Sequence, residues 1–163
     1  MAIKDTFSGA KNAFVFYEAF LNTVAEEIGR ERASALETKM CEALGVPQGR
    51  LAKEQAKQQA GIEEFDAKTA HLVCSQLIGG LGYTSGVTEE SPQEVVFKLG
   101  RCPVFEAAQM MGQDVQASEA ACRAGAIRFM DTVVKQLNPN LRYELRKYRS
   151  APEEPCVEAI VLA

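Results

Sequence analysis

One cysteine of this sequence lies where a thiol is expected to be reactive. Cys102 precedes Pro103, a residue typical of the first position of a helix, and Glu106 follows in the first turn. A thiol at a helix N-terminus faces unpaired backbone N–H groups, and Arg101 adds a positive charge beside it. Because both effects lower the pKa of a thiol, we expect Cys102 to be a thiolate that acts as a nucleophile or a metal ligand. The alternative is a small residue that is merely tolerated where a strand meets a helix.

A second candidate pair lies on a predicted helix. His71, the single histidine of the sequence, and Cys74 are three residues apart, which puts both side chains on one helix face. Two metal ligands on a helix need this spacing, so the pair is a candidate metal site. The same face carries Ala70, Leu77 and Ile78, which favours the alternative that the pair is packed in the core.

Two further cysteines are candidates to join Cys102 in one site. Cys122 lies among small residues of a predicted helix, and Cys156 begins the last predicted strand. If Cys102 converges with Cys122, Cys156 or Cys74, thiolate ligands would suit zinc or an iron–sulfur cluster. The sequence has no C-x-x-C pair, so spacing alone leaves a metal site, a reactive thiol and packed thiols all open.

The segment LRYELRKYR, residues 141–149, carries four basic side chains against one acidic side chain. An arginine of this segment, in particular Arg146 or Arg149, would hold a ligand carboxylate or phosphate through its forked donors. Together with Arg101, these two residues are the candidate ligand-binding arginines. The alternative is a solvated strand face whose charges prevent edge pairing.

Apolar residues at three- and four-residue steps predict the helices that position these side chains. The second helix is expected to end at the stop signal Gly45-Val-Pro47, and residues 51–60 to form an exposed helical connector. The aromatic side chains Phe14, Phe16, Tyr17 and Phe20 of the first helix are expected to form core or to line an apolar pocket. The predicted helices span residues 5–29, about 30–45, 51–60, about 66–78, 103–111 and 115–137.

The β-prone segments arrive in pairs joined by short turns. This order predicts an α+β fold with N-terminal helices and an antiparallel sheet of about four strands, with two helices inserted between the strand pairs. The length of 163 residues predicts one domain, with a helical part at 1–82 and a sheet-containing part at 83–163. The predicted strands are 83–89, 93–100, 141–149 and 156–162.

Composition and charge restrict the partners of the chain. A net charge of −4 argues against nucleic-acid binding. We expect a cytoplasmic protein without membrane insertion, because no apolar run has the length of a signal peptide or a membrane span. Five cysteines, an odd number at wide spacings, do not form a secreted disulfide framework. Motifs of nucleotide-binding proteins and α/β-hydrolases are absent from the sequence.

Roughly residues 87–162 resemble the L-2-amino-thiazoline-4-carboxylic acid hydrolase-like family and, more distantly, the 4-vinyl reductase-like small-molecule-binding domains. The resemblance implies an α+β domain, often a homodimer, related in fold to ligand-binding modules and vesicle-tethering subunits that enclose an apolar or tetrapyrrole-like ligand. The residues that carry it are Cys102-Pro103 followed by Glu106, then Cys122, the Asn138-Pro139 turn before an arginine-bearing strand, and Cys156.

Three functional interpretations follow. The first is a small-molecule-binding domain with a cysteine-centred pocket between the sheet and the helices of residues 102–137, in which zinc, an iron–sulfur cluster or a tetrapyrrole is a candidate cofactor. The second is a hydrolase that cleaves a C–N bond of a small cyclic amidine. There Cys102 or a thiolate-held metal activates water, Glu106 or His71 is the general base, and an arginine holds the substrate carboxylate. The third is a scaffolding subunit without chemistry.

Overall fold

The computed structural model describes residues 6–163 of the chain. Asp5, the predicted start of the first helix, lies outside these residues. The helices are α1 (Thr6–Ile28), α2 (Arg30–Ala60), α3 (Ala67–Gly79), α4 (Pro103–Met110), α5 (Val115–Ala124) and α6 (Ala126–Leu137). The strands are β1 (Ser85–Glu90), β2 (Glu94–Leu99), β3 (Leu141–Lys147) and β4 (Cys156–Leu162).

The four strands form one antiparallel sheet in the order β1-β2-β4-β3. This arrangement confirms the predicted α+β fold, with N-terminal helices and with α4, α5 and α6 between the two strand pairs. The register sets Cys156 opposite Leu99, and Glu158 opposite Phe97. Because side chains alternate between the faces of a sheet, Cys156 and Glu158 share one face with these two apolar residues.

The hydrophobic core lies between that face of the sheet and the helices α3 and α6. Helix α6 buries Met130, Val133, Val134 and Leu137, and α3 buries Ala67, Ala70, Val73 and Cys74. All of them belong to one cluster with the inward side chains of β2, β3 and β4. Helix α3 begins next to Asp66, close to the predicted start, and the Asp66 side chain caps it by accepting a hydrogen bond from the Thr69 backbone N–H at 2.8 Å.

The predicted end of the second helix at Gly45-Val-Pro47 is wrong, because α2 continues through Pro47 to Ala60. A Cβ atom on Gly45 would lie 2.7 Å from the Cβ of Thr132 in α6, and one on Gly49 would lie 2.7 Å from the Cβ of Gln136. These glycines therefore allow α2 and α6 to pack closely. Residues 51–60 are accordingly the last turns of α2 and not a separate connector.

The predicted helix over residues 115–137 is divided into α5 and α6 at Gly125. The backbone there has φ −102° and ψ −87°, outside the helical region. A Cβ on Gly125 would overlap the carboxylate of Glu37 from α2, so the break leaves room for that buried side chain. Within residues 6–163, none of the helices is both long and apolar enough to cross a membrane.

Candidate functional site

An enclosed cavity of about 50 Å³ lies between the inner face of the sheet and α4, α5 and α6; we call it the inner cavity. It is large enough for roughly four water molecules at about 10–15 Å³ each. Its wall includes Cys102 with Cys122 and Cys156, two of the three cysteines predicted to converge with it, together with Arg149; Cys74 does not line it. The other lining residues are Ile78, Tyr83, Leu99, Val104, Phe105, Ala126, Ile127, Met130, Tyr143, Tyr148 and Glu158.

Cys102 is the N-cap of α4, as its position before Pro103 predicted. Its Sγ accepts a hydrogen bond from the Phe105 backbone N–H at 3.5 Å. Burial is the largest influence on the thiol and raises its pKa above the ordinary value, although the Phe105 N–H and the Arg149 charge lower it. The expected thiolate is therefore corrected to a protonated thiol, because loss of solvent outweighs the helix terminus.

Arg149 follows the end of β3 and is 2% exposed. Its Nε donates to Cys156 Sγ at 3.3 Å, and its Nη2 donates to the backbone oxygens of Leu99 at 2.9 Å and Gly100 at 2.5 Å. The guanidinium carbon lies 5.0 Å from the centre of the Phe105 ring. Among residues 6–163, neither an ion-pairing carboxylate nor an acceptor for Nη1 is present at hydrogen-bond distance. The inner cavity thus has a buried cation in its wall with no described carboxylate at hydrogen-bond distance, and the charge of Glu158 acts on it only from farther away.

Glu158 is an acidic member of the cavity wall that the sequence interpretation missed. It is 5% exposed and accepts a hydrogen bond from the Tyr143 hydroxyl. Burial raises its pKa to about 7, although the Tyr143 hydrogen bond and the Arg149 charge lower it. The alternation Cys156, Glu158, Ile160 was the available signal, because it places a glutamate on the apolar face of the strand.

Three of the four tyrosines of the sequence also line the inner cavity and were missed. Tyr83 lies beside Cys102, where burial and the thiol raise the pKa of the phenol. Tyr148 shares a 2.5 Å hydrogen bond with Ser118 of α5. With Tyr143, they give the cavity three hydroxyl groups that can donate or accept hydrogen bonds.

Comparison with known proteins adds a family to this geometry. The family model described as L-2-amino-thiazoline-4-carboxylic acid hydrolase matches residues 10–148. The chain belongs to this hydrolase family. No curated protein matches. Among solved structures, the chain is similar to the crystal structure of a trafficking protein particle complex subunit 3 from Naegleria fowleri covalently bound to palmitic acid. The two share 15% identity over 95% of each chain, with a TM-score of 0.49.

In this member of the hydrolase family, two predicted site residues pair with each other away from the inner cavity. Glu106 forms ion pairs with Arg101 at 3.2 Å and with Lys11 at 3.5 Å. The Arg101 guanidinium also lies over the Phe7 ring at 3.6 Å. Neither residue lines the inner cavity, so Arg149 and Glu158 stand there in place of the predicted Arg101 and Glu106.

Arg146 likewise lies outside the inner cavity. Its guanidinium pairs with Glu94, and with Glu144 at 3.3 Å, on the partly exposed face of the sheet. Here the structure favours the alternative of a solvated charged strand face. Of the candidate arginines, Arg149 alone lines the inner cavity, where its guanidinium reaches Cys156 of β4 and the backbone oxygens at the end of β2.

Of the predicted metal pair, Cys74 is buried in the core and His71 is partly buried beside it. The His71 ring lies 4.8 Å from the Phe97 ring, and its Nε2 is 3.3 Å from Ser75 Oγ. Burial lowers the pKa of His71 and raises that of Cys74 to about 12. Within residues 6–163, no three histidine, cysteine or acidic side chains are arranged to hold a metal ion. The structure thus gives no ligand set for the predicted zinc or iron–sulfur site.

A larger cavity of about 570 Å³ adjoins the inner one; we call it the outer cavity. The two share the wall residues Ile78, Tyr83, Val104, Cys122, Ala126 and Met130. Of the N-terminal aromatics, Phe14 and Tyr17 line the outer cavity, whereas Phe16 and Phe20 are exposed. The two cavities are therefore separated by a wall that includes Tyr83 and Cys122.

Proposed function

We propose that the protein binds a small carboxylate-bearing molecule, with the carboxylate held by Arg149 in the inner cavity. The supporting observation is the buried guanidinium of Arg149, which has no carboxylate at hydrogen-bond distance and no acceptor for its Nη1 among the described residues. A buried charge is costly unless it is paired, and neutral acceptors compensate it only in part. A ligand carboxylate would complete the pairing through charge-assisted hydrogen bonds.

The size of the cavities fits a ligand that spans both of them. The inner cavity has room for a carboxylate and a few neighbouring atoms, and the outer cavity would accept the rest of the molecule once the wall residues between the two move aside. Tyr83, Tyr143 and Tyr148 join Arg149 and Glu158 as the polar members of a mainly apolar wall, an arrangement typical of small-molecule sites.

A second candidate function is hydrolysis of a C–N bond in a small cyclic amidine, and Glu158 favours it. A carboxyl with a pKa of about 7 can both accept and return a proton near neutral pH. Ionised Glu158 would take a proton from water as the water oxygen adds to the amidine carbon; the C=N π electrons pass to nitrogen, which receives that proton from Glu158. The added hydroxyl then forms C=O, and its proton passes through Glu158 to the leaving nitrogen as the C–N bond breaks.

The proposed binding function is tested by calorimetric titration with 2-amino-thiazoline-4-carboxylate and with 2-amino-thiazoline, which lacks the carboxylate. We expect the carboxylate-bearing ligand to bind at least about 10-fold more tightly, because a hydrogen-bonded charge is worth roughly 1.5–3 kcal/mol. Equal affinities would show that Arg149 does not recognise a carboxylate. Product formation during the titration distinguishes hydrolysis from binding alone.

A further inference from the structure

Two carboxyl groups are buried where the outer cavity meets a neighbouring polar cleft. Glu18 of α1 is 3% exposed and Glu37 of α2 is 6% exposed. Glu37 Oε1 accepts a hydrogen bond from the Tyr17 hydroxyl at 3.1 Å, and Glu18 Oε2 accepts one from Gln113 Nε2 at 2.6 Å. The outer cavity has no lysine, arginine or histidine among its described lining residues. Both carboxyls therefore lie in its wall without a basic partner.

The polar cleft beside them has further unused acceptor capacity. It has a volume of about 340 Å³, and both glutamates line it together with Gln113. Gln113 Oε1 is buried and has no hydrogen-bond partner among residues 6–163. Arg30 is the basic residue of the cleft wall, and it forms no ion pair with either glutamate. Carboxylate and amide oxygens at this junction thus have unused acceptor positions.

The fold makes specific room for the carboxyl of Glu37. The chain breaks from α5 to α6 at Gly125, and a side chain there would overlap Glu37 Oε1. The outer cavity beyond this point is lined mainly by apolar side chains, among them Phe14, Leu77 and Phe129. An apolar cavity of this size with a few convergent polar groups has the usual form of a ligand site.

We propose that the outer cavity binds an apolar amine, with its hydrocarbon body against the apolar wall and its ammonium group between Glu37 and Glu18. An ammonium has three donors and no acceptor, so it matches the unused acceptor positions on the oxygens of Glu18, Glu37 and Gln113. Burial raises the pKa of Glu37 to about 7, although the Tyr17 hydrogen bond lowers it, and Glu18 adds to the rise. A cation placed there offsets both the burial and the repulsion. A fatty carboxylate of the same length would add a third negative group.

This proposal is separate from carboxylate binding at Arg149. Because octanoate could place its carboxylate at Arg149 and its chain in the outer cavity, the comparison with octanoate is made in Arg149→Gln as well as in the wild type and is judged in Arg149→Gln. The probes are octylamine, octanoate and 1-octanol, which share one chain and differ in the charge of the head group. Each is titrated calorimetrically at pH 7.5 into the full chain. We expect octylamine to bind at least about 10-fold more tightly than 1-octanol, and than octanoate in Arg149→Gln, since a charge-assisted hydrogen bond in a buried site is worth at least that factor.

Glu37→Gln keeps the shape of the side chain and removes its charge. It should weaken octylamine binding at least about 10-fold and leave 1-octanol unchanged. Glu31→Gln, an exposed change of equal charge on the same helix, should bind octylamine as the wild type does. If Glu37→Gln does not fold, Glu18→Gln replaces it with the same expectation.

Three results would overturn the proposal: octanoate binding as tightly as octylamine in Arg149→Gln, 1-octanol binding as tightly as octylamine, or octylamine binding unchanged in folded Glu37→Gln or Glu18→Gln. Arg149→Gln should leave octylamine affinity unchanged. Loss of aminothiazoline carboxylate binding in that variant, with octylamine binding retained, separates the two sites.

Discussion

At the scale of single residues, the sequence identified the position of Cys102 but not its state. A cysteine before proline predicts a helix N-cap, and the sulfur does accept the expected N–H. The pKa depends also on how much solvent the fold removes, and burial raises it. The burial of Arg149 and Glu158 was likewise not visible from their residue types. Their charges are typical of solvated strand residues, and only the register of β4 and the turn after β3 bring them into one cavity wall.

Glu158 should make the protein less stable as the pH rises. Its carboxyl has a folded-state pKa of about 7 against an ordinary value of 4.5, so between these pH values the folded state retains a proton that the unfolded state loses. Stability is therefore highest below pH 4.5 with respect to this group, and roughly 3 kcal/mol is lost by pH 7.5.

The Glu158→Gln variant isolates this contribution, because all other titrating groups are common to it and the wild type. We measure the free energy of unfolding in urea for both proteins. We expect the difference, variant minus wild type, to rise by roughly 3 kcal/mol between pH 4.5 and pH 7.5. Glu31→Gln, which is exposed, should show no such gain. A constant difference between Glu158→Gln and wild type across this range would contradict the raised pKa.

At the scale of elements, short-range sequence patterns predicted the features that depend on neighbouring residues in the chain. Alternating apolar residues located all four strands to within a few residues, and Asp66 located the start of α3. The length of α2 was not predictable in this way. Gly45 and Pro47 are helix stop signals in isolation, but here Gly45 serves the contact with Thr132 of α6, which no short-range pattern records.

Gly45→Ala should therefore destabilise the protein although alanine is the better helix former. The new Cβ would lie 2.7 Å from Thr132 Cβ and 2.9 Å from the Phe129 backbone oxygen, and such overpacking costs about 1–3 kcal/mol. Gly9→Ala in α1 is the matched control, since nothing lies within 4 Å of its Cβ position. That variant should be more stable by about 0.5–1 kcal/mol in chemical unfolding. Stabilisation by both alanines would show that Gly45 does not serve helix packing.

At the scale of the whole molecule, the homodimer implied by the family resemblance stays a prediction. Phe16 and Phe20, one turn apart on α1, are 80% and 63% exposed, which favours an apolar contact surface there. We expect light scattering on a sizing column to give twice the mass of the 17.8 kDa chain. Replacing both residues with serine should give the monomer mass. A wild-type monomer at micromolar concentration would contradict the dimer.

The central claim is that Arg149 recognises a ligand carboxylate in the inner cavity, and a variant cycle tests it most directly. The affinities of 2-amino-thiazoline-4-carboxylate and 2-amino-thiazoline are compared in the wild type, Arg149→Gln, Arg149→Lys and Arg146→Gln. Arg146 is the matched control because it pairs with Glu94 and Glu144 on the other face of the sheet.

We predict that removing the carboxylate weakens binding at least about 10-fold in the wild type and in Arg146→Gln, but less than about 3-fold in Arg149→Gln. Arg149→Lys keeps the positive charge but lacks the forked donors of the guanidinium, so the ratio of the two ligand affinities should be intermediate. This variant remains informative if Arg149→Gln does not fold. A carboxylate preference that is the same in the wild type and in every folded Arg149 variant would contradict the account.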